Sequence, residues 1–208
     1  DAVANVLRAI DADVVALQEV EHMQMLDSLN DAVDGRYEHR ALIDANDPRG
    51  IDVAILSKVA FAEVVTHKDD SFTKLGTDSP SYRYSRDALE VHMLLNGRAF
   101  TLFVVHYKAK DNDNPDKRLA EAQHTRGLAD AITANLPNKG IIILGDYNDL
   151  PGSPPLLATV GDGEDSYQSV ADYVPSEDRW TFEFGNNLEL VDHQLVNPLL
   201  YEMVAPSK

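Results

Sequence analysis

The sequence contains no cysteine. This absence excludes disulfide bonds, thiolate–zinc sites and a cysteine nucleophile. No stretch approaches the roughly 20 apolar residues that cross a bilayer, and the opening residues lack the basic start and apolar run of a signal peptide. Basic residues are scarce: 18 Lys and Arg stand against 35 Asp and Glu, a net charge of −17. This deficit argues against tight, non-specific binding of nucleic acid through a basic surface.

The rest of the composition is that of an ordinary globular chain. Hydrophobic residues make up 44% of the 208 residues, enough for one domain with a sizeable core. Apolar periodicity predicts helices over 2–11, 22–33 and 115–136. Apolar runs predict strands over 13–18, 37–42, 51–57, 88–95, 98–106 and 140–144, with a last pair at 181–184 and 188–196. The alternation of helices and strands, with a hairpin at Asn96-Gly97, favours a mixed α/β sandwich over an all-parallel sheet.

Polar residues stand where two of the predicted strands end. Glu19 follows the strand DVVALQ, and a lone carboxylate there suits a hard cation such as Mg²⁺. Asp146 follows the apolar strand GIIIL, and Asn148 points the same way if the chain stays extended. In that arrangement Asp146 activates a water and Asn148 donates to a phosphate oxygen. Taken singly, Glu19 is equally well a solvated acid, and Asp146 and Asn148 are equally well turn residues.

Further candidates lie around the predicted hairpin. His106 ends the strand FTLFVVH and can stabilise phosphate charge, while Arg86 precedes the hairpin and can brace a phosphate. Tyr82 and Tyr84 come just before Arg86 and can pack on a sugar or a base. The alternatives are a structural histidine, a solvated loop end for the arginine, and ordinary packing for the tyrosines.

Asp192 and His193 lie next to each other in the predicted strand LELVDHQLVNP. Strand alternation points their side chains to opposite faces, so only one of them faces a cleft. Acidic, basic, imidazole and amide side chains thus come at successive strand ends, and this convergence is stronger than any single motif.

The order of these motifs resembles the endonuclease/exonuclease/phosphatase superfamily, and within it the bacterial predicted extracellular nucleases. The matching segments are DVVALQEVE, GIDVAILS, SRDALEVHMLLNGRAFTLFVVHYKAK, IIILGDYND and DRWTFEFGNNLELVDHQLVNP. The resemblance implies an α/β fold, a four-layer sandwich of two packed mixed β-sheets flanked by helices. It also implies an extracellular or periplasmic location.

The resemblance also implies roles for the residues that match. Glu19 is expected to bind the catalytic metal, which we predict to be Mg²⁺, with Mn²⁺ or Ca²⁺ as alternatives. The implied catalytic residues are Asp146, Asn148, His106 and Asp192. The implied substrate-binding residues are Arg86, Tyr82 and Lys108.

Two segments of the family pattern have no match here. One is an N-terminal strand that carries a catalytic asparagine, and the other is a late Ser-Asp-His-x-Pro segment that supplies the catalytic histidine. We therefore expect residues 1–208 to form a single catalytic domain truncated at both ends. In this interpretation Asp192 orients a histidine that lies beyond Lys208, and His193 is not the catalytic histidine.

The function expected from these residues and from the resemblance is Mg²⁺-dependent hydrolysis of phosphodiesters, with nucleic acid as substrate and DNA favoured over RNA. One alternative is a phosphatase or phosphodiesterase of inositol phosphates or sphingolipids, and the net charge of −17 favours such a small substrate. Another is a catalytically degenerate binding module, against which the presence of Glu19, Asp146 and Asn148 speaks.

Overall fold

The computed structural model describes residues 2–78 and 80–204. The helices are α1 (Ala2–Ile10), α2 (Met23–Ala32), α3 (Pro115–Asn135), α4 (Pro154–Val160) and α5 (Pro198–Val204). The strands are β1 (Val14–Val20), β2 (His39–Leu42), β3 (Asp52–Ser57), β4 (Phe61–Val65), β5 (Ala88–Leu95), β6 (Arg98–His106), β7 (Gly140–Asp146), β8 (Gln168–Ser169), β9 (Phe182–Phe184), β10 (Asn187–Glu189) and β11 (Asp192–Val196). Within the described part of the chain, no helix has both the length and the apolar character needed to cross a membrane.

The strands form two main sheets. The first is antiparallel with the order β1-β3-β2, and the second has the order β4-β5-β6-β7-β11-β8. In the second sheet β6 and β7 are parallel, joined by a crossover through α3, while the other neighbours are antiparallel. Strands β9 and β10 form a separate hairpin.

The central strands are buried on both faces, which stacks the molecule in four layers. On β3, Val53 and Ile55 pack between the two sheets, while Ala54 and Leu56 pack against α1 and α2. On β6, side chains alternate in the same way. Phe103 packs on the face away from the other sheet, in a core that includes residues of α3 and α4 and that we call the outer core. The order helices, sheet, sheet, helices confirms the predicted sandwich.

The structure differs from the predicted elements near the end of the chain. The strand predicted over 188–196 is two strands, because β10 pairs with β9 and the chain then changes partner to β7. The change takes place at Val191, whose carbonyl accepts a hydrogen bond from the backbone N–H of Tyr147. Strand β4, which the sequence pattern did not predict, lies at a sheet edge and exposes Ala62 and Glu63.

Candidate active site

Three candidate residues lie side by side at one end of the six-stranded sheet. The register pairs His106 with Asp146 across β6 and β7, and Asp146 with Asp192 across β7 and β11. Leu144 of β7 packs between the sheets, so alternation turns the Asp146 side chain to that same inner face. The Nε2 atom of His106 lies 3.4 Å from Oδ2 of Asp146. The predicted convergence of strand ends is therefore present for these three residues, which we call the catalytic row.

Glu19 lies at the end of β1, in the facing sheet. The register steps from Leu17 opposite Ala54 to Val20 opposite Asp52, so β1 carries one extra residue there. Glu19 occupies this bulge with a φ of +60°, a left-handed conformation that non-glycine residues rarely adopt. Bulges re-aim side chains and concentrate next to active sites, and the strain they hold requires support from the surrounding fold. Glu19 is exposed and accepts no hydrogen bond from the described residues.

The end of β1 meets the end of β7 at Gly145. Its φ of +138° is a conformation that L side chains rarely adopt, and a Cβ there would lie 2.0 Å from the carbonyl oxygen of Val105. The same Cβ position is 3.2 Å from Nε2 of Gln18. Glycine thus permits the close approach of β7 to the Val105 carbonyl of β6 and leaves room for Gln18, which precedes Glu19 in the facing sheet.

A carbonyl oxygen organises the phosphate-binding candidates. The backbone oxygen of Tyr107 accepts hydrogen bonds at 3.0 Å from Nη1 of Arg86 and at 3.0 Å from Nδ2 of Asn148. The Arg86 side chain is only 3% exposed, and its Nε atom lies 2.8 Å from Oδ2 of Asp47 in an ion pair. Arg86 is therefore a buried, oriented cation, and the alternative of a solvated loop end is wrong for it.

Asn148 reaches the site through a turn and not through an extended strand. Its φ is +51°, and its backbone N–H donates to Oδ1 of Asp146 at 2.7 Å. The two interpretations of the segment GDYN, a turn and a site, are thus compatible, because the turn is what places the Asn148 amide beside the carboxylate. The extended chain on which the prediction for Asn148 depended is absent at this position.

Burial sets the charge states of the catalytic row. Burial, with the charges of Asp192 and Glu19, raises the pKa of Asp146 to about 6, although the hydrogen bond from Asn148 opposes the shift. Burial, followed by repulsion from Arg86 and Arg49, lowers the pKa of His106 to about 3. The row therefore holds a neutral imidazole beside a carboxyl group whose pKa suits it to take up a proton near neutral pH.

The predicted substrate-binding residues differ in their surroundings. Lys108 donates from Nζ to the carbonyl oxygens of Ala109 and Asp111, so its ammonium group fastens the loop that follows β6. Tyr82 is partly buried against the outer core. Tyr84 is 1% exposed and bonds Thr125 through its hydroxyl group, so the idea that it packs on a substrate is wrong.

His193 faces away from the catalytic row. Leu195, two residues along β11, packs in the outer core, and His193 packs there too, with its ring 5.2 Å from that of Tyr147. Its Nε2 atom bonds the carbonyl oxygen of Asp149 at 3.0 Å, and burial lowers its pKa. Asp192 and His193 therefore lie on opposite faces, as alternation predicts.

Two buried acids were not among the predicted site residues. Asp47, in the loop between β2 and β3, is the ion-pair partner of Arg86. Glu121 of α3 is fully buried and accepts backbone hydrogen bonds at 2.6 Å from both Ser85 and Lys108. Glu121 thus joins the segment that leads to Arg86 with the one that follows His106. The signal available in the sequence was weak, since an acid on the apolar face of a predicted helix is all that marks Glu121.

The donor groups fit a hard divalent cation with few protein ligands. Among the described residues, no three His, Asp or Glu side chains lie close enough together to hold a metal by themselves. Mg²⁺, however, takes one or two carboxylates and keeps several waters. Glu19 offers such a carboxylate. Burial is the main cause of the raised pKa of Asp146, and the charges of Asp192 and Glu19 add to it, so a cation bound here would offset part of that negative charge.

Comparison with known proteins shows which family the chain belongs to. A family model described as the endonuclease/exonuclease/phosphatase family matches residues 1–182. The chain belongs to this family. Members of the endonuclease/exonuclease/phosphatase family are hydrolases that act on phosphodiester bonds, and the resemblance indicated by the order of motifs is confirmed.

Solved structures share the fold at low sequence identity. Truncated TDP2 from Caenorhabditis elegans is 17% identical with a TM-score of 0.65, over 94% of this chain and 75% of that one. The human Nocturnin catalytic domain, solved with a bound sulfate, is 15% identical with a TM-score of 0.70, over 94% and 73%. An endonuclease/exonuclease/phosphatase from Bacteroides vulgatus is 15% identical with a TM-score of 0.63, over 95% and 77%. No curated protein matches the sequence.

Proposed function

We propose that this hydrolase cleaves phosphodiester bonds of nucleic acid with the help of a divalent cation, that the cation is Mg²⁺, and that DNA is the preferred substrate. The observation that carries the proposal is the catalytic row, in which His106, Asp146 and Asp192 face the sheet that carries Glu19. A neutral imidazole, a carboxyl group of raised pKa and a buried arginine together suit attack of water on phosphate.

Each residue of the site has a distinct task in this reaction. The Asp146 carboxylate accepts a proton from the attacking water while the water oxygen bonds to phosphorus and the P–O bond to the leaving alkoxide breaks. The leaving oxygen then takes up a proton from solvent, and Asp146 loses its own to solvent. Burial, with the charge of Asp192, keeps the proton affinity of Asp146 high. Asn148 uses one amide hydrogen for Tyr107, which leaves the second for a phosphate oxygen. Arg86 and the neutral His106 offset charge on the phosphoryl oxygens.

The metal, bound at Glu19, would supply Lewis-acid polarisation of the phosphate. This chain's own part is to present the Glu19 carboxylate from the bulge with no competing hydrogen bond from a described residue. Calorimetric titration with Mg²⁺ or Mn²⁺ tests this assignment by comparing metal binding in the wild type, Glu19→Gln and Glu21→Gln. Glu21 is an exposed acid two residues away and serves as the matched control. Equal binding by all three proteins would contradict the role of Glu19.

Incubation with supercoiled plasmid and Mg²⁺ tests the activity, beside Asp146→Asn and an EDTA control. Nicking by the wild type alone, with both controls silent, is the expected result. Cleavage that persists within tenfold in Asp146→Asn would remove Asp146 from the reaction. Failure to cut DNA, RNA or a simple synthetic phosphodiester would contradict the proposed function as a whole.

A second candidate is hydrolysis of a small phosphate ester, such as an inositol phosphate or a sphingolipid headgroup. The net charge of −17 favours it, because an acidic surface repels a long polyanion. Comparing kcat/KM for DNA, RNA, sphingomyelin and inositol phosphates separates the two candidates. A catalytically degenerate binding module would leave the whole panel untouched.

A further inference from the structure

The carboxylate of Asp47 holds two arginines at once. Arg49 donates to Oδ1 from its backbone N–H at 2.9 Å and from Nε at 3.1 Å, and to Oδ2 from Nη2 at 3.0 Å. Arg86 approaches Oδ2 from the other side, at 2.8 Å. Burial opposes the ionisation of Asp47, but the hydrogen bonds from Arg49 and the charge of Arg86 outweigh it and lower its pKa to about 2. The carboxylate is thus a permanently charged anchor for two cations.

The two arginines differ in how far they reach toward solvent. The Arg86 side chain is 3% exposed, with Nε beside Asp47 and Nη1 on the carbonyl oxygen of Tyr107, so it acts on the scissile phosphate through its charge and not through an exposed edge. The Arg49 side chain is 56% exposed, and its Nη1 has no hydrogen-bond partner among the described residues. One edge of the Arg49 guanidinium is therefore fixed by Asp47 while the remaining N–H groups are available to a ligand.

Arg49 lies next to the candidate active site, because Asp47 joins it to Arg86, and Arg86 bonds the same Tyr107 carbonyl oxygen as Asn148 does. Its charge interacts with Glu19 of β1 and with Asp111 in the loop after β6. It also contributes to the electrostatic environment of His106 in the catalytic row. Arg49 is thus the exposed arginine of the pair that Asp47 holds, and it lies at the rim of the site, next to the buried Arg86.

We propose that Arg49 binds the phosphate next to the scissile one, so that the site prefers a chain with at least two consecutive phosphodiesters. This inference rests on the proposed function, because it assigns the scissile phosphate to the catalytic row and to Arg86. A guanidinium held in a fixed orientation loses little side-chain freedom on binding, and its planar fork matches phosphate oxygens. On a chain with an excess of acids, a pre-oriented cation at the rim also gives a polyanion a local point of attachment.

Equilibrium binding tests the inference without relying on turnover. The probe is a fluorescently labelled, hydrolysis-resistant phosphorothioate DNA oligonucleotide, titrated in Mg²⁺ and followed by anisotropy. Arg49→Ala is expected to weaken binding about tenfold, the loss of one charge-assisted contact, and to reduce the slope of log K against log salt by about one. Arg49→Lys, which keeps the charge but loses the fork, is expected to weaken binding about threefold.

The matched control is Arg36→Ala. Arg36 is also a partly exposed arginine paired with an aspartate. Its partner Asp11 lies just before the start of β1, whereas Glu19 lies near the end of that strand, so the control pair is at the opposite end of β1 from the candidate site. Binding by the control should stay within about twofold of the wild type. Wild-type binding by Arg49→Ala, or an equal loss in Arg36→Ala, would overturn the inference. Circular dichroism shows whether Arg49→Ala folds, and Arg49→Lys carries the test if it does not.

Turnover separates the flanking phosphate from the scissile one. A synthetic diester with a single phosphate has nothing for Arg49 to hold, so Arg49→Ala should lower kcat/KM for the cleavable oligonucleotide about tenfold more than it lowers kcat/KM for the diester. Equal losses on both substrates would place Arg49 at the scissile phosphate and overturn the inference. Binding that depends on Arg49 without hydrolysis of any substrate would instead refute the proposed function, and only the binding of a phosphate by Arg49 would remain.

Discussion

Asp146→Asn is expected to stabilise the fold while it abolishes turnover. Burial, with the charges of Asp192 and Glu19, raises the pKa of Asp146 from 3.8 to about 6. A carboxyl group whose pKa is raised on folding makes its full contribution to stability below its unfolded pKa, where it is protonated in both the folded and the unfolded state. That contribution is lost as the pH rises through about 6, because the folded chain must then hold a buried charge.

The size of the effect follows from the rise in pKa. A rise from 3.8 to about 6 corresponds to roughly 3 kcal/mol in the free energy of unfolding at about pH 7.5 and roughly half of that at about pH 5. The Asp146 side chain is 23% exposed, so solvent screening reduces these values only in part. Asparagine keeps the shape and an acceptor for the N–H of Asn148, 2.7 Å away in the wild type. The variant should therefore exceed the wild type by roughly 2–3 kcal/mol at the higher pH.

Urea unfolding followed by circular dichroism at the two pH values measures this difference. The buffers contain EDTA, because a bound cation would offset the charge and stabilise the wild type by mass action. Asp162→Asn, in an exposed turn, is the matched control and should change stability by less than about 0.5 kcal/mol. An Asp146→Asn variant no more stable than the wild type at the higher pH, or an advantage that does not shrink at the lower pH, would refute the reasoning.

Three further predictions concern neighbouring groups. Burial is the main cause of the raised pKa of Asp146, and the charge of Asp192 adds to it. Asp192→Asn removes that charge, so the acid limb of the pH–rate profile should move below about pH 6. An unmoved limb would exclude this coupling. The imidazole of His106 should show no NMR titration step between about pH 5 and 8, because burial and then the nearby arginines lower its pKa to about 3; a step in that range would contradict this. Glu121→Ala leaves two partly buried backbone N–H groups, those of Ser85 and Lys108, without their carboxylate, so it should lower the free energy of unfolding, measured in urea, by roughly 3 kcal/mol. A loss under about 1 kcal/mol would mean that water replaces the carboxylate.

The sequence predicted the fold best at strands that are buried on both faces. The apolar runs of β3 and β7 and the Asn-Gly turn at 96–97 indicated their elements directly, because hydrophobic pattern and turn chemistry act locally. The edge strand β4 and the two-residue β8 were missed, because their pairing depends on neighbours distant in sequence and not on their own pattern.

The sequence indicated candidate residues for the site but not the contacts between them. Strand ends marked His106 and Asp146 as candidates, yet only the parallel pairing of β6 with β7 shows that the two are neighbours. The burial of Arg86 was not predictable, since its partner Asp47 belongs to a loop between other strands. Likewise, a bulge depends on one extra residue relative to a partner strand, so the re-aiming of Glu19 cannot be read from its own strand.

The proposed site spans the interface between the two sheets. Glu19 belongs to the three-stranded sheet, whereas Asp146 belongs to the six-stranded one, and apolar packing such as that of Ile55 and Val104 holds these sheets in alignment. The packing between the two sheets therefore fixes the distance between the groups that the proposed reaction needs. A core residue that does not contact the substrate can thus affect the rate, because it affects the relative position of the two sheets. Heat or pressure that loosens the packing between the sheets should abolish the reaction while both sheets are still intact.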